Sequence, residues 1–532
     1  MEEATVLEDV FLFLPDRSTR PGAIAFSPSG IIAVGEKSAV RMKAGPKPRI
    51  ISLPGALVLP GFCDSHTHMI WGALQRARVD LRSAKSRGDI GRRIQTWMKE
   101  NSSSPWILGQ WDEASWGGEL PDRSWVDGVT GPRPLFLTRA DMHSALVNSA
   151  ALKIAGIHSD TLDPAGGKVV RDSRTGSPTG ILLENAMESV VAKIPPPAAE
   201  ERVRALRTSL HLAHSFGVTA VHDILYQLDW EDMEIHRVAL AKDPDGLKVF
   251  MRVPLECLDR LLAERKEISS RRFLLDGVKG FIDGALGSTT AWLEKPYTHD
   301  PSHTGITCIE NVPEFKETVR RAARANVSVS LHAIGDAAIG FAQDLYLDII
   351  RQRLGEAPLR IEHFQHPGKK HLEAMGHPRM FASVQPAHLL DDASSAEERL
   401  GPERAALSYP IRSLLARGCP VVFGSDWDVA DLNPLVGLQA AVSRVDKAKH
   451  FPGGWHPEQA IGMAEAIECY TWAGAKAAGM ADRVGRLLPG MEADLAVLDR
   501  DLTSLHPEKI TDAKVILTVV AGKIVYQNNF SK

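Results

Sequence analysis

Val327-Ser328-Val329-Ser330-Leu331-His332 follows directly on Pro313 to Asn326, a stretch whose spacing predicts a helix. Successive side chains of a strand alternate, so Val327, Val329 and Leu331 face one side while Ser328, Ser330 and His332 face the other. Small polar residues on that second face leave room for a site beside the imidazole at the strand's end. The same helix-then-strand unit stands earlier in the chain. Glu201 to Phe216 sets Val203, Leu206, Leu210 and Ala213 on one stripe and stops at Gly217, and Val218-Thr219-Ala220-Val221 then reads as a strand. Units of this kind between Pro60 and Ala430 predict the α/β class and a (β/α)8, TIM-like barrel rather than a sandwich. An open doubly wound sheet is the alternative, but no Gly-x-Gly-x-x-Gly word or P-loop stands at a strand end to support it.

Two regions depart from the repeat. Short β-rich runs with Gly and Pro occupy Ala23 to Val34 and Ile50 to Leu59, and the same texture returns in Ala493 to Leu498 and Val515 to Val520. Residues 1–58 and 486–532 are therefore expected to join as one small β-sandwich domain. Ser102 to Pro197 holds Trp106, Trp111, Trp116 and Trp125 and two Gly pairs, and reads as a cap inserted into a barrel formed by 59–101 and 198–485.

Composition bounds the function. The chain has 532 residues, too many for one ordinary compact domain. Its 62 Lys and Arg face 66 Asp and Glu, for a net charge of −4 without a run of like charge, which argues against a nucleic-acid partner. No apolar run approaches the roughly 18 residues that cross a bilayer, and the first residues read as neither a secretory signal nor a transit peptide. Cys63, Cys257, Cys308, Cys419 and Cys469 are scattered, with no C-x-x-C pair, so a reducing cytoplasm is expected and no disulfide framework. The expected partner is a small-molecule substrate; a homodimer is compatible with all of this.

The chemistry begins at His66-Thr67-His68, in Leu59-Pro60-Gly61-Phe62-Cys63-Asp64-Ser65-His66-Thr67-His68. Side chains two apart on a strand point the same way, so both imidazoles can reach one metal. With 19 His in the chain, chance alone supplies about 0.7 such triplets, so the word needs company. It has company at other strand ends: His332, His363 after Leu359-Arg360-Ile361-Glu362, and Asp426 after Val421-Val422-Phe423-Gly424-Ser425. Barrel catalytic residues come from such ends. Lys279, in Gly277-Val278-Lys279-Gly280, has two readings that spacing does not separate. It is a surface lysine, or a buried one whose neutral amine takes up carbon dioxide to give a metal-bridging carbamate.

The order H-x-H, Lys, His, His, Asp resembles that of the amidohydrolase superfamily. The words Pro60 to His68, Asp283-Gly284-Ala285-Leu286-Gly287-Ser288, His332-Ala333-Ile334-Gly335-Asp336, Ile361-Glu362-His363, Gly424-Ser425-Asp426-Trp427 and Gly490-Met491-Glu492-Ala493-Asp494-Leu495 resemble its YtcJ-like branch, amidohydrolase family 3. Trp106 to Asp112 and Asn148 to Leu152 are similar to that branch's cap. The chain departs from the branch's usual words at Cys63, Met69, Met142 and Asp428.

The resemblance implies one or two divalent metal ions, zinc first. His66 and His68 would hold one, His332 and His363 the second, with carbamylated Lys279 bridging and Asp426 touching the first. A metal lowers the pKa of water from about 15.7 to about 7, and Asp426 would accept the proton and pass it to the leaving amine. His363 or the second metal would polarise the carbonyl. His143 would hydrogen-bond the substrate or hold a turn; Trp111, Trp116 and Trp292 would line the pocket or pack a core. Asp336 and Glu362 would orient ligands, with helix capping as the other reading for Asp336. The implied activity is metal-dependent hydrolysis of a non-peptide C–N bond in an N-substituted amide, formamide or cyclic amide. The rival is a non-catalytic regulatory or scaffold protein that keeps the fold.

Overall fold

Eight segments hydrogen-bond side by side in parallel and in chain order: β1 (Phe62–Thr67), β2 (Val218–Ile224), β3 (Lys248–Pro254), β4 (Phe273–Phe281), β5 (Ser328–Ala333), β6 (Leu359–His363), β7 (Met380–Val384) and β8 (Val421–Phe423). In this computed structural model, which describes residues 3–139, 144–164, 167–225, 230–242 and 246–528, the ends of the series meet. Thr67 bridges Trp427, the Asp426 amide donates to the His66 carbonyl at 2.7 Å, and the His68 amide donates to the Trp427 carbonyl at 2.8 Å. The result is a nearly closed TIM-like barrel. Gly424 permits this closure, because a Cβ there would come within 2.6 Å of the His66 backbone nitrogen.

Local chemistry sets the helices between strands. Helix α1 (Val312–Arg324) starts where the Asn311 side chain accepts from the Glu314 amide at 3.3 Å, carries Pro313 in its first turn, and ends with Arg321 and Arg324. It buries Val319, Ala322 and Ala323, and β5 follows. Helix α2 (Asp336–Arg351) then buries Ala338, Ile339, Ala342, Leu345 and Ile349. Strands covered on both faces are buried along their whole length, as β2, β3 and β7 are.

The two chain ends share one eight-stranded sheet. Leu57–Pro60 pairs antiparallel with Leu495–Leu498, setting Val58 opposite Val497 and Leu59 opposite Ala496. Leu7, Ile24, Phe26, Val58, Val497 and Val519 then bury together in one core. Lys248, at the start of β3, ties this sheet to the barrel. It is fully buried and pairs with Glu492 Oε2 at 3.0 Å and with Asp494.

Residues Trp71–Ala205 form a separate contact unit, while Met1–Ile70 and Leu206–Lys532 form the other. The expected insertion, 102–197, is thus too narrow. Val79–Leu81 pairs in parallel with Ile107–Trp111, at one edge of a six-stranded sheet, and Ile90 and Ile94 of Arg87–Glu100 enter the same core as Leu135 and Leu137. No helix among the described residues is long and apolar enough to cross a membrane.

The Lys248 pairing predicts a stability effect. Lys248→Ala leaves two carboxylates without their buried partner and should lower unfolding free energy by about 3–5 kcal/mol in urea titrations at pH 7. Burial raises the Glu492 pKa, but Lys248 and Arg483 outweigh it and hold the group at about 2, against an ordinary 4.5. That stabilisation is complete above the unfolded value and is lost as pH falls toward 2. The stability gap between wild type and Glu492→Gln should therefore narrow below about pH 4.5; a gap constant down to pH 3 would remove Glu492 from the linkage.

Candidate metal centre

At one end of the barrel, imidazoles from four strands or their following turns surround a single carboxylate. His66 Nε2 lies 3.4 Å and His68 Nε2 3.2 Å from Asp426 Oδ1. On the other oxygen, His363 Nδ1 is 4.0 Å and His388 Nε2 3.8 Å from Oδ2. The donor atoms of His66, His68 and Asp426 lie within 4.8 Å of one another, and so do those of His363, His388 and Asp426. The His332 ring centroid stands 4.4 Å from that of His363.

Four of these rings, those of His66, His68, His363 and His332, are held from behind by an acceptor. His66 Nδ1–H donates to Glu362 Oε2 at 2.7 Å, and His68 Nδ1–H donates to the Ile224 carbonyl at 2.7 Å. His363 Nδ1–H donates to Gln385 Oε1 at 2.8 Å, and His332 Nε2–H to the Gly284 carbonyl at 3.1 Å. A carboxylate or carbonyl can only accept, so each neutral ring keeps its lone pair on the opposite nitrogen. For His66 and His68 that nitrogen is the Nε2 beside Asp426. Two such nitrogens and a carboxylate oxygen, with the outer nitrogens fixed, fit a divalent cation.

The backbone around these rings is clamped by buried carboxylates. Asp64 Oδ1 accepts from the amides of His66 at 3.2 Å and Ser425 at 2.9 Å, joining β1 to the turn after β8. Asp223 accepts from the Met69 amide at 2.7 Å, and Asp283 accepts from Ile334 at 3.0 Å and Gly335 at 2.9 Å. His363 and Asp426 adopt left-handed φ values of 75° and 57°. Such a residue costs on the order of 1–3 kcal/mol, which the surrounding clamps sustain.

Beneath the rings runs a buried charge relay. Arg360 Nη2 donates to Glu362 Oε2 at 3.1 Å, to the Ser65 carbonyl at 2.6 Å and to Ser383 Oγ at 2.9 Å. Arg360 and Arg252 both donate to His222 Nδ1, at 2.9 and 2.8 Å, and His222 Nε2–H donates to the Gly474 carbonyl at 3.0 Å. Burial alone would raise the Glu362 pKa, but Arg360 and His66 hold it well below the carboxylate range. Burial, reinforced by the Lys279 charge, brings His66 down to about 4 and His332 to about 3. His363 is pushed well below its ordinary value by burial and by His332. Neutral imidazole is the form that binds a cation.

Lys279 is 2% exposed, so it is not a surface lysine. Its Nζ sits 4.6 Å over the Phe281 ring, and burial lowers its pKa to about 8. Trp111 packs in the core of the 71–205 unit, stacked 6.1 Å from Trp116, with Nε1–H donating to the Leu137 carbonyl at 3.0 Å. Trp292 faces Phe341 of α2 at 6.3 Å. Asp336 accepts from the Glu294 amide at 2.8 Å and the Ala337 amide at 3.0 Å. His143 lies outside the described residues. His388 is the residue that sequence reasoning missed; its signal was its position four residues past the end of β7.

Glu362→Ala would free the His66 ring and leave Arg360 buried without its carboxylate. Metal affinity should fall about 10–100-fold in a competitive chelator titration, and stability should fall by about 3–5 kcal/mol. Unchanged affinity would show that Glu362 does not orient the ligand.

Comparison with known proteins agrees with this geometry. Residues 49–526 match the model described as "Amidohydrolase family". Protein LONG AFTER FAR-RED 3 of Arabidopsis thaliana is 35% identical over 511 residues, 93% of this chain and 87% of that protein. The N-substituted formamide deformylase of Arthrobacter pascens is 26% identical over 530 residues, 97% of this chain and 96% of its own. The crystal structure of an uncharacterized metal-dependent hydrolase from Pyrococcus furiosus superposes with a TM-score of 0.76 at 26% identity, covering 95% of this chain and 100% of that one. With a barrel of this topology, a His, His, Asp group at its strand ends and a family match across nearly its whole length, the chain belongs to the amidohydrolase family.

Proposed function

We propose that this protein is a metal-dependent hydrolase that uses water to cleave a non-peptide C–N bond in a small N-substituted amide, formamide or cyclic amide. The observation that carries the reading is the pair of imidazole nitrogens, His66 Nε2 and His68 Nε2, at 3.4 and 3.2 Å from one oxygen of Asp426. The relative named as an N-substituted formamide deformylase supports the choice of bond. Zinc suits imidazole and carboxylate donors best, with manganese, iron or cobalt as further candidates.

His66, His68 and Asp426 would hold the first cation, and His332 and His363 a second. When bound, such a cation supplies Lewis acidity that makes water a nucleophile near pH 7 and polarises the carbonyl. The side chains do the rest. Asp426 is held well below the usual carboxylate range although burial opposes it. It accepts the proton of the attacking water and returns it to the departing nitrogen, which then leaves as a neutral amine. Lys279, buried and with its pKa lowered to about 8, would take up carbon dioxide as a neutral amine, losing a proton to give a carbamate able to serve as a further metal ligand. Cysteines that form no disulfide among the described residues suit a cytoplasmic enzyme. A non-catalytic scaffold would tolerate loss of a ligand or of the base, and each of these positions carries a competent side chain.

The test starts from purified protein loaded in turn with zinc, manganese, iron and cobalt. It screens N-substituted formamides, amides and cyclic amides with and without a chelator. Turnover that the chelator abolishes and metal restores is expected; its absence across the panel would sink the reading. Asp426→Asn should lower kcat by at least about 10²-fold while keeping fold and most of the metal. Lys279→Ala should lose metal and activity together, with partial rescue by acetate; a full complement of two metals in that variant would remove the carbamate.

A further inference from the structure

His388 ends a short turn, Pro386–His388, that follows β7. Its Nε2 is buried, lies 3.8 Å from Asp426 Oδ2 and has no hydrogen-bond partner among the described residues. The ring lies nearly parallel to that of His363, with centroids 6.3 Å apart and planes inclined at 17°. Its other nitrogen faces Gln365, whose Nε2 stands 3.4 Å from His388 Nδ1. An amide nitrogen donates, so Nδ1 is the acceptor and the proton of the neutral ring sits on Nε2. This is the reverse of His66 and His68, whose Nδ1 groups donate to Glu362 and Ile224. Those two rings present a lone pair beside Asp426, whereas His388 presents an N–H.

A buried N–H with nothing to accept it is costly to maintain, and the position is next to the carboxylate that handles the proton in the proposed reaction. A ligating nitrogen needs a lone pair, which this tautomer places on the Gln365 side. We propose that His388 is a catalytic residue rather than a metal ligand: its Nε2–H donates to the oxygen of the scissile carbonyl as that oxygen gains negative charge. This assignment rests on the hydrolytic reading above. No proton is transferred from His388. The hydrogen bond is strongest when the carbonyl oxygen is anionic, so it favours the tetrahedral state over the bound substrate.

Metal-loaded wild type, His388→Ala and His388→Phe decide the matter, the Phe variant keeping a flat ring against His363 if the Ala variant fails to fold. Metal content by elemental analysis should match wild type in both. On any amide the wild type cleaves, kcat should drop about 10²- to 10³-fold with a much smaller change in KM. Phenylphosphonate, a tetrahedral anion, should bind the variants about 10- to 100-fold more weakly by calorimetry. Loss of metal from the folded variants would make His388 a ligand and overturn the proposal. Equal phosphonate affinity in all three proteins, or no binding to wild type, would also overturn it. A wild type that cleaves no amide defeats the hydrolytic reading, while the calorimetry still decides whether His388 holds an oxyanion.

Discussion

Glu362 is the charge on which the barrel interior depends. It is fully buried, and burying an isolated carboxylate is prohibitively unfavourable unless cations and donors surround it. Arg360 meets it from one side and His66 from the other. Arg360 in turn reaches the Ser65 carbonyl, Ser383 and His222, so β1, β2, β6 and β7 are joined through one guanidinium. The same carboxylate that neutralises the structural arginine thereby decides which nitrogen of His66 carries its proton. Structure and chemistry share this group, and neither can be altered alone.

A second constraint is closure of the ring of strands. Asp64 holds the amides of His66 and Ser425, and Gly424 allows β8 to approach β1. Asp426 is then aimed at His66 and His68 from a left-handed backbone conformation that an isolated chain would seldom adopt. The strain is local, while the hydrogen bonds that sustain it are distributed over both strands. The terminal sheet contributes at the opposite level: its pairing of Leu57–Pro60 with Leu495–Leu498 leads directly into β1, and Lys248 locks β3 to the same segment.

Much of the centre was legible in the chain because its parts obey local rules. The two-residue spacing of His66 and His68, the alternation that sets Ser330 and His332 on one face, and the strand-end positions of His363 and Asp426 follow from strand geometry alone. The helix over α1 was readable from its spacing, while its Asn311 cap emerged with the structure. The second unit was read too narrowly because Val79–Leu81 is a three-residue strand with little periodicity, and its partner lies about thirty residues on. Trp111 and Trp116 could be read as pocket or core, since an indole buries equally well in either; in their own unit they stack together.

The sequence by itself determined the class of fold, the order of the candidate site residues and the family, because alternation, capping and residue type act over short distances. It left open whether Lys279 was buried, which nitrogen of each histidine bore its proton, and that His388 faced Asp426 at all. Those were decided by tertiary structure. Burial depends on what packs around a strand from elsewhere in the chain. A histidine tautomer is chosen by an acceptor that, for His66, lies 296 residues away.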